Sequence, residues 1–217
     1  MVIGYVFGLF QTSYIYGKLH GIDIRDYGSG NAGTTNTLRV LGRKAGILVL
    51  AGDIIKCILA VVVSGLIFDK TYPDMIYLLK IYAAAGAILG HNFPFYLRFK
   101  GGKGIAATAG MILSFHPYFI PVAVVVFFGI FFTTHYVSLG SLILYAVFFI
   151  EMVVLGQMGV FGMNQPLLNE LYVVTAVLTV MAYYKHKENI KRLLSGTERK
   201  TYLSHKNKES AEGGENG

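Results

Sequence analysis

Three polar stretches interrupt an apolar chain, and each carries residue types that handle anions. The first reads Gly28-Ser-Gly-Asn-Ala-Gly-Thr-Thr-Asn-Thr-Leu-Arg39. Glycines at 28, 30 and 33 admit positive φ and expose consecutive backbone N–H groups. Concave arrays of such amides bind anions, and hydroxyls of Ser29, Thr34 and Thr35 can complete the shell. Arg39 adds a two-pronged fork for phosphate or carboxylate. A flexible polar linker would have a similar composition, so this stretch alone decides nothing.

The second stretch is His91-Asn-Phe-Pro-Phe-Tyr-Leu-Arg-Phe-Lys-Gly-Gly-Lys-Gly104. Its Gly101-Gly102-Lys103-Gly104 end opens a short apolar segment, where a helix N-terminus would aim free amides at a phosphate held by Lys103. A Walker A loop is excluded, because Gly104 follows Lys103 and no Ser or Thr stands there for magnesium. The third stretch, His186-Lys-Glu-Asn-Ile-Lys-Arg-Leu-Leu-Ser-Gly-Thr-Glu198, places His186, Asn189 and Ile190 on one helical face. Gly196 is a natural helix stop, and an amphipathic lipid-associated helix is the plain alternative.

Other polar residues are less informative. Asp53 and Lys56 stand at i and i+3 inside an apolar run, where a mutual pair is the default. Ser138 and Ser141 open another apolar segment and are suited to bonding a backbone carbonyl or a ligand. Cys57 lies in an apolar run, a poor site for a thiolate. The histidines lack metal-ligand spacing, and none has an Asp five positions on. No G-x-S-x-G elbow occurs. Nothing points to a covalent nucleophile or to nucleic acid.

The elements that position these stretches follow from composition. Of 217 residues, 54% are apolar and 14% charged, about half the charged share of a globular chain, and mean hydropathy is +0.54. This is an all-α polytopic membrane protein. Apolar segments fall at 2–19, 46–68, 75–97, 104–115, 118–134, 137–157 and 168–184. The fourth is short for a crossing: it either traverses a thinned region or is a half-helix returning to its own side. The net charge is +7, and eight of the nineteen Lys and Arg follow residue 184. Seven crossings put every basic stretch on one side, with the N-terminus outside and the C-terminus cytoplasmic. Residues 1–203 form one membrane domain, and the polar tail 204–217 is expected to be disordered.

In register, the motifs Ser29-Gly-Asn-Ala-Gly-Thr-Thr-Asn-x-x-Arg39, Gly90-His-x-Phe-Pro with Phe99-Lys-Gly-Gly-Lys-Gly104, and His186-x-x-Asn-Ile-x-Arg-Leu-x-x-Gly-x-Glu198 carry a family likeness. Together they resemble the bacterial acyl-phosphate:glycerol-3-phosphate acyltransferases, seven-helix integral membrane enzymes, over residues 1–200. The resemblance implies transfer of a fatty acyl group from acyl phosphate to the 1-hydroxyl of glycerol 3-phosphate. The products would be lysophosphatidate and phosphate, the first step of bacterial phospholipid synthesis. It implies an acyl-phosphate cradle of Ser29, Asn31, Gly33, Thr35, Asn36, Gly101 and Gly102. Glycerol 3-phosphate would be held by Arg39, Lys103, Ser141, His186 and Asn189, with Ser138 a near neighbour of Ser141. Ser29, Arg39, Lys103, His186 and Asn189 would form the catalytic set.

No metal, cofactor or acyl-CoA is expected, and direct attack without an acyl-enzyme follows from the reactivity of a mixed anhydride. The proton would pass to a substrate phosphate or to His186. Membrane lipid and an acyl-phosphate-forming enzyme are the implied partners, at the cytoplasmic face of the bacterial plasma membrane. The sequence departs from the pattern at Gly8-Leu-Phe-Gln-Thr-Ser-Tyr, where a Gly-Ser-Ile-Pro-Phe-Gly-Tyr-like run is expected, and at Thr34, usually Ala. A transporter for an organic phosphate, using the same cationic loops, is the alternative.

Overall fold

The computed structural model describes residues 1–202, all helix and loop with no strand among them. The tail 204–217 lies outside the described residues. Nine α-helices follow in order: α1 Val2–Gly8, α2 Thr12–Leu19, α3 Thr34–Phe68, α4 Ile76–Asn92, α5 Ile105–Phe115, α6 Phe119–Thr134, α7 Val137–Gln157, α8 Gln165–Lys185 and α9 Lys187–Leu194. Four stretches are long and apolar enough to cross a membrane: Thr34–Phe68, Pro73–Leu97, Val137–Gln157 and Gln165–Lys185. Exposed apolar stripes run along α3 (Ile55, Leu59, Val62, Leu66), α6 (Val125, Phe128, Phe132) and α8 (Val173, Val177, Val180). Their spacing by three and four marks one helix face each, surfaces that suit lipid rather than water.

The first apolar segment is broken rather than continuous. Helix α1 ends at Gly8 and α2 begins at Thr12. Side chains satisfy the backbone groups that the break releases. Gln11 Nε2 donates to the carbonyls of Gly8 (3.2 Å), Gly90 (3.2 Å) and His91 (3.0 Å). Lys56 Nζ donates to the carbonyl of Phe10 at 2.9 Å. Helix α1 lies directly against α4: a Cβ on Gly4, Gly8, Gly86 or Gly90 would run into the facing helix's backbone. Small residues four apart on both helices allow this approach, in which packing replaces the hydrophobic drive that lipid removes.

The second segment starts earlier than its hydropathy indicates. Helix α3 opens at Thr34, within the first polar motif, and bends sharply at Gly42 (φ 84°, ψ −177°). That conformation is essentially reserved for glycine. The short arm 34–41 then folds against the long arm, so that a Cβ on Gly46 would stand 2.8 Å from the Leu38 side chain.

The short α5 runs from one end of the bundle to the other. At its start, the amide of Gly102 donates to the carbonyl of His91 at the end of α4. Beyond its far end, the ring of His116 lies 5.9 Å from Tyr77 at the start of α4 and 6.0 Å from Phe161 beyond α7.

Replacing Gly86 by Leu should cost about 1–3 kcal/mol through overpacking, read as a lower Tm in detergent. Gly129→Leu in α6, where nothing lies within 4 Å of the added Cβ, should leave Tm near that of the wild type. Equal losses at the two sites would contradict the α1–α4 contact.

Candidate active site

Residues of the second and third motifs meet where α4, α5, α7 and α8 end or begin. Lys103, two residues before α5, donates through Nζ to Asn189 Oδ1. Asn189 Nδ2 in turn donates to Glu198 Oε1 at 2.6 Å. The same carboxylate accepts Ser138 Oγ at 2.8 Å and Arg192 Nε at 2.7 Å. The loop before α5, the start of α7 and α9 are thus tied to one acid.

The turn from α8 into α9 places His186 and Asn189 together, as their spacing predicts, and Gly196 (φ 70°) follows the end of α9. His186 is only 3% exposed. Its Nδ1 lies 2.8 Å from the carbonyl of Ala182. A carbonyl can only accept, so Nδ1 carries the proton and Nε2 keeps a free lone pair. Burial, followed by the nearby Lys103 charge, pushes the His186 pKa down to about 4, leaving the ring neutral at pH 7. Burial also pushes Lys103 down to about 8, with Arg192 adding repulsion. Burial alone would raise Glu198, but hydrogen bonds from Asn189, Ser138 and Arg192 outweigh it and hold the carboxyl below its ordinary range. Arg39, exposed on the short arm of α3, lies within electrostatic reach of Glu198, Arg192 and Arg199.

The first motif is half loop and half helix. Gly28 (φ 63°) and Gly30 (φ 70°) turn the loop, and Gly33 caps α3. Among the described residues, no backbone acceptor meets the amides of Thr34, Thr35 and Asn36, the donors a helix start leaves free. The buried hydroxyl of Thr34 also has no partner there. The Asn36 side chain faces the loop: Oδ1 accepts the Ser29 amide at 2.8 Å, and Nδ2 donates to the carbonyls of Ile24 (3.1 Å) and Tyr27 (3.0 Å). Asn36 therefore shapes the loop that presents Ser29 and Asn31.

Gly101 and Gly102 do not match the expectation that their amides cradle phosphate. Those amides donate to the carbonyls of Asn92 (3.2 Å) and His91 (3.1 Å). Both positions are glycine for lack of room: a Cβ on Gly101 would strike the His91 carbonyl, and one on Gly102 the His91 ring. The amides without a backbone acceptor are those of Lys103 to Ala107. The loops before α3 and α5 touch, since a Cβ on Gly102 would stand 2.7 Å from the Ala32 carbonyl. Ser141 is buried, and its hydroxyl donates to the Val137 carbonyl at 2.7 Å. Its neighbour Ser138 is the serine that joins the Glu198 network.

Two helix starts with spare amides therefore stand beside Arg39, Lys103 and Arg192, against a single buried carboxylate. Such a place can hold two anions side by side. The family model of glycerol-3-phosphate acyltransferase matches residues 1–196. The chain belongs to that family. It is an acyltransferase of bacterial integral-membrane type, which replaces the transporter reading. A glycerol-3-phosphate acyltransferase of Halalkalibacterium halodurans is 41% identical over 202 residues, covering 92% of this chain and 93% of the relative. One from Bacillus cereus, glycerol-3-phosphate acyltransferase 2, is 35% identical over 209 residues, covering 95% and 96%. Two crystal structures of PlsY, an integral membrane glycerol 3-phosphate acyltransferase, are also similar to this chain. The glycerol 3-phosphate form has a TM-score of 0.76 at 30% identity, covering 92% of each chain. The lysophosphatidic acid form has a TM-score of 0.77 at 29% identity, covering 93% of each.

Glu198 and Arg192, to which the motif's composition assigns no role, organise the acyltransferase's site. The usable signal was an acid, Glu198, flanked by Arg192, Arg199 and Lys200 in a strongly basic stretch, a natural centre for an ion-pair network.

The Lys103 environment predicts a pH dependence. The ammonium persists below its folded pKa of about 8 and is lost above it. The kcat/KM for the phosphate substrate, which reports the free enzyme, should therefore fall as pH rises through about 8. Lys103→Arg should remove that alkaline limb, because a guanidinium stays charged. An unchanged profile in the Arg variant would exclude Lys103 as the titrating group.

Proposed function

We propose that the chain transfers a fatty acyl group from acyl phosphate to the 1-hydroxyl of sn-glycerol 3-phosphate, releasing lysophosphatidate and inorganic phosphate. The observation that carries this reading is the pairing of two amide-rich helix starts with Lys103, Arg39 and Arg192 around one carboxylate. The loop and short arm of α3 hold the acyl phosphate through Ser29, Asn31, Gly33, Thr35 and the unpartnered Thr34 hydroxyl. Asn36 acts by positioning that loop. Lys103, Arg39, Asn189 and Ser141 hold glycerol 3-phosphate, with His186 accepting from a glycerol hydroxyl through Nε2. Gly101 and Gly102 contribute close packing rather than amides.

The chemistry needs no covalent enzyme intermediate. The glycerol oxygen bonds to the acyl carbonyl carbon, and the carbon–oxygen bond to phosphate breaks. The electron pair leaves on phosphate, and a phosphate oxygen takes the hydroxyl proton. A neutral His186 with a pKa of about 4 is a weak base at pH 7, which favours the substrate phosphate as proton acceptor. The enzyme supplies proximity for two mutually repelling anions and stabilises charge on the carbonyl oxygen.

The topology proposed with this function has seven crossings: α1 with α2 as one broken span, then α3, α4, α5, α6, α7 and α8. The N-terminus is outside, and the site is cytoplasmic. Support comes from the gathering of the basic stretches at the site's end of the bundle. The acyl chain then approaches from the lipid, and an acyl-phosphate-forming enzyme supplies the donor.

In detergent, the purified protein should release phosphate from palmitoyl phosphate only when glycerol 3-phosphate is added, and EDTA should not stop it. Lys103→Ala should lower kcat/KM by about a hundredfold or more. Equal use of palmitoyl-CoA, or no turnover of palmitoyl phosphate, would sink the donor assignment.

A further inference from the structure

One buried polar cluster lies outside the substrate-facing groups. Lys56 and Asp53 on α3 have side chains only 4% and 1% exposed. An ammonium has three protons to give, and each has an acceptor: the Phe10 carbonyl at 2.9 Å, Asp53 Oδ1 at 2.8 Å and His91 Nδ1 at 2.8 Å. Thr12 Oγ1 completes the cluster by donating to Asp53 Oδ1 at 3.2 Å. Lys56 is thus a tripod joining the α1–α2 break, α3 and the end of α4. Because Lys56 can only donate, His91 Nδ1 accepts and the ring proton sits on Nε2. That is the opposite tautomer to His186.

The Nε2 edge of His91 is the surface against which Gly102 packs, and the Ala32 carbonyl closes the same pocket, 2.7 Å from where a Gly102 Cβ would stand. The His91 carbonyl also receives the Gly102 amide at 3.1 Å and Gln11 Nε2 at 3.0 Å. One ring therefore backs the loop that carries Lys103 and, through Gly102, the loop of the first motif. A ring without the Lys56 bond could rotate into the glycine loop and displace Lys103 from Asn189.

We propose that Lys56, with Asp53 as its counter-ion, is a positioning residue for the reaction: it locks His91 in one tautomer and orientation, and His91 sets the spacing of the two anion-binding loops. The ligand of those loops is taken from the function proposed above. Glycerol 3-phosphate binding measured calorimetrically without donor keeps this inference separable from the donor assignment.

The tests use the full chain in detergent. In wild-type protein, NMR of the histidine ring nitrogens should show His91 protonated on Nε2 and His186 on Nδ1. An Nδ1-protonated His91 would overturn the proposal. His91→Leu and the charge-neutral pair Asp53→Asn/Lys56→Met should each raise the dissociation constant and KM for glycerol 3-phosphate by about tenfold or more. Combining all three substitutions should do no further harm, because they interrupt one chain of contacts. His91→Gln, whose amide can accept from Lys56 and still donate through Nε2, should stay within about threefold of wild type. Variants that lose only Tm and folded yield, with KM and binding unchanged, would reduce the cluster to a purely structural role and overturn the inference, as would additive effects.

Discussion

Within an apolar bundle, every backbone donor and acceptor without water must find a partner in the protein, and that constraint shapes this molecule. At the end of α4, the carbonyls of His91 and Asn92 are taken by the amides of Gly102 and Gly101. The loop then has no freedom left until Lys103, and among the described residues the amides from Lys103 to Ala107 are left without a backbone acceptor. Only glycine allows the approach, since a Cβ at either position would strike α4. The second motif is glycine-rich because of this packing, and the free donors are the groups that the packing leaves over.

The same constraint explains the first helix. Leu9 to Gln11 are not helical, and Gln11 and Lys56 bond the carbonyls released. Close packing adds to this, since four glycines bring α1 and α4 into backbone contact. The polar joint and the close helix pair therefore meet at the same end of α4, where Gln11 bonds the Gly90 and His91 carbonyls.

Electrostatically, the site is biased rather than balanced. Arg39, Lys103, Lys185 and Arg192 surround one carboxylate, and Glu198 is already engaged by Ser138, Asn189 and Arg192. Removing Lys103 from water lowers its proton affinity, and a bound phosphate would restore it. That difference is the form electrostatic preorganisation takes: the cost of desolvating the cation is met during folding, before the anion arrives. Glu198 lies at the centre of this arrangement, where its two oxygens orient Asn189 and Arg192.

The residues alone determined that the chain is helical and lipid-facing and where its cationic motifs lie. These are matters of local composition, and hydropathy and spacing report them directly. The pairing of His186 with Asn189 was also legible, because a three-residue step fixes neighbours on a helix. The α1–α2 break, the bend at Gly42, the role of Asn36 and the engaged amides of Gly101 and Gly102 were not. Each depends on a partner tens of residues away, such as Gly90 for Gln11 or His91 for Gly102. Only the tertiary structure chose Ser138 over Ser141 as the partner of Glu198, and it alone joined Lys103 to Asn189. Which donor meets which acceptor is decided by where helices come together in space, and neither composition nor period carries that information.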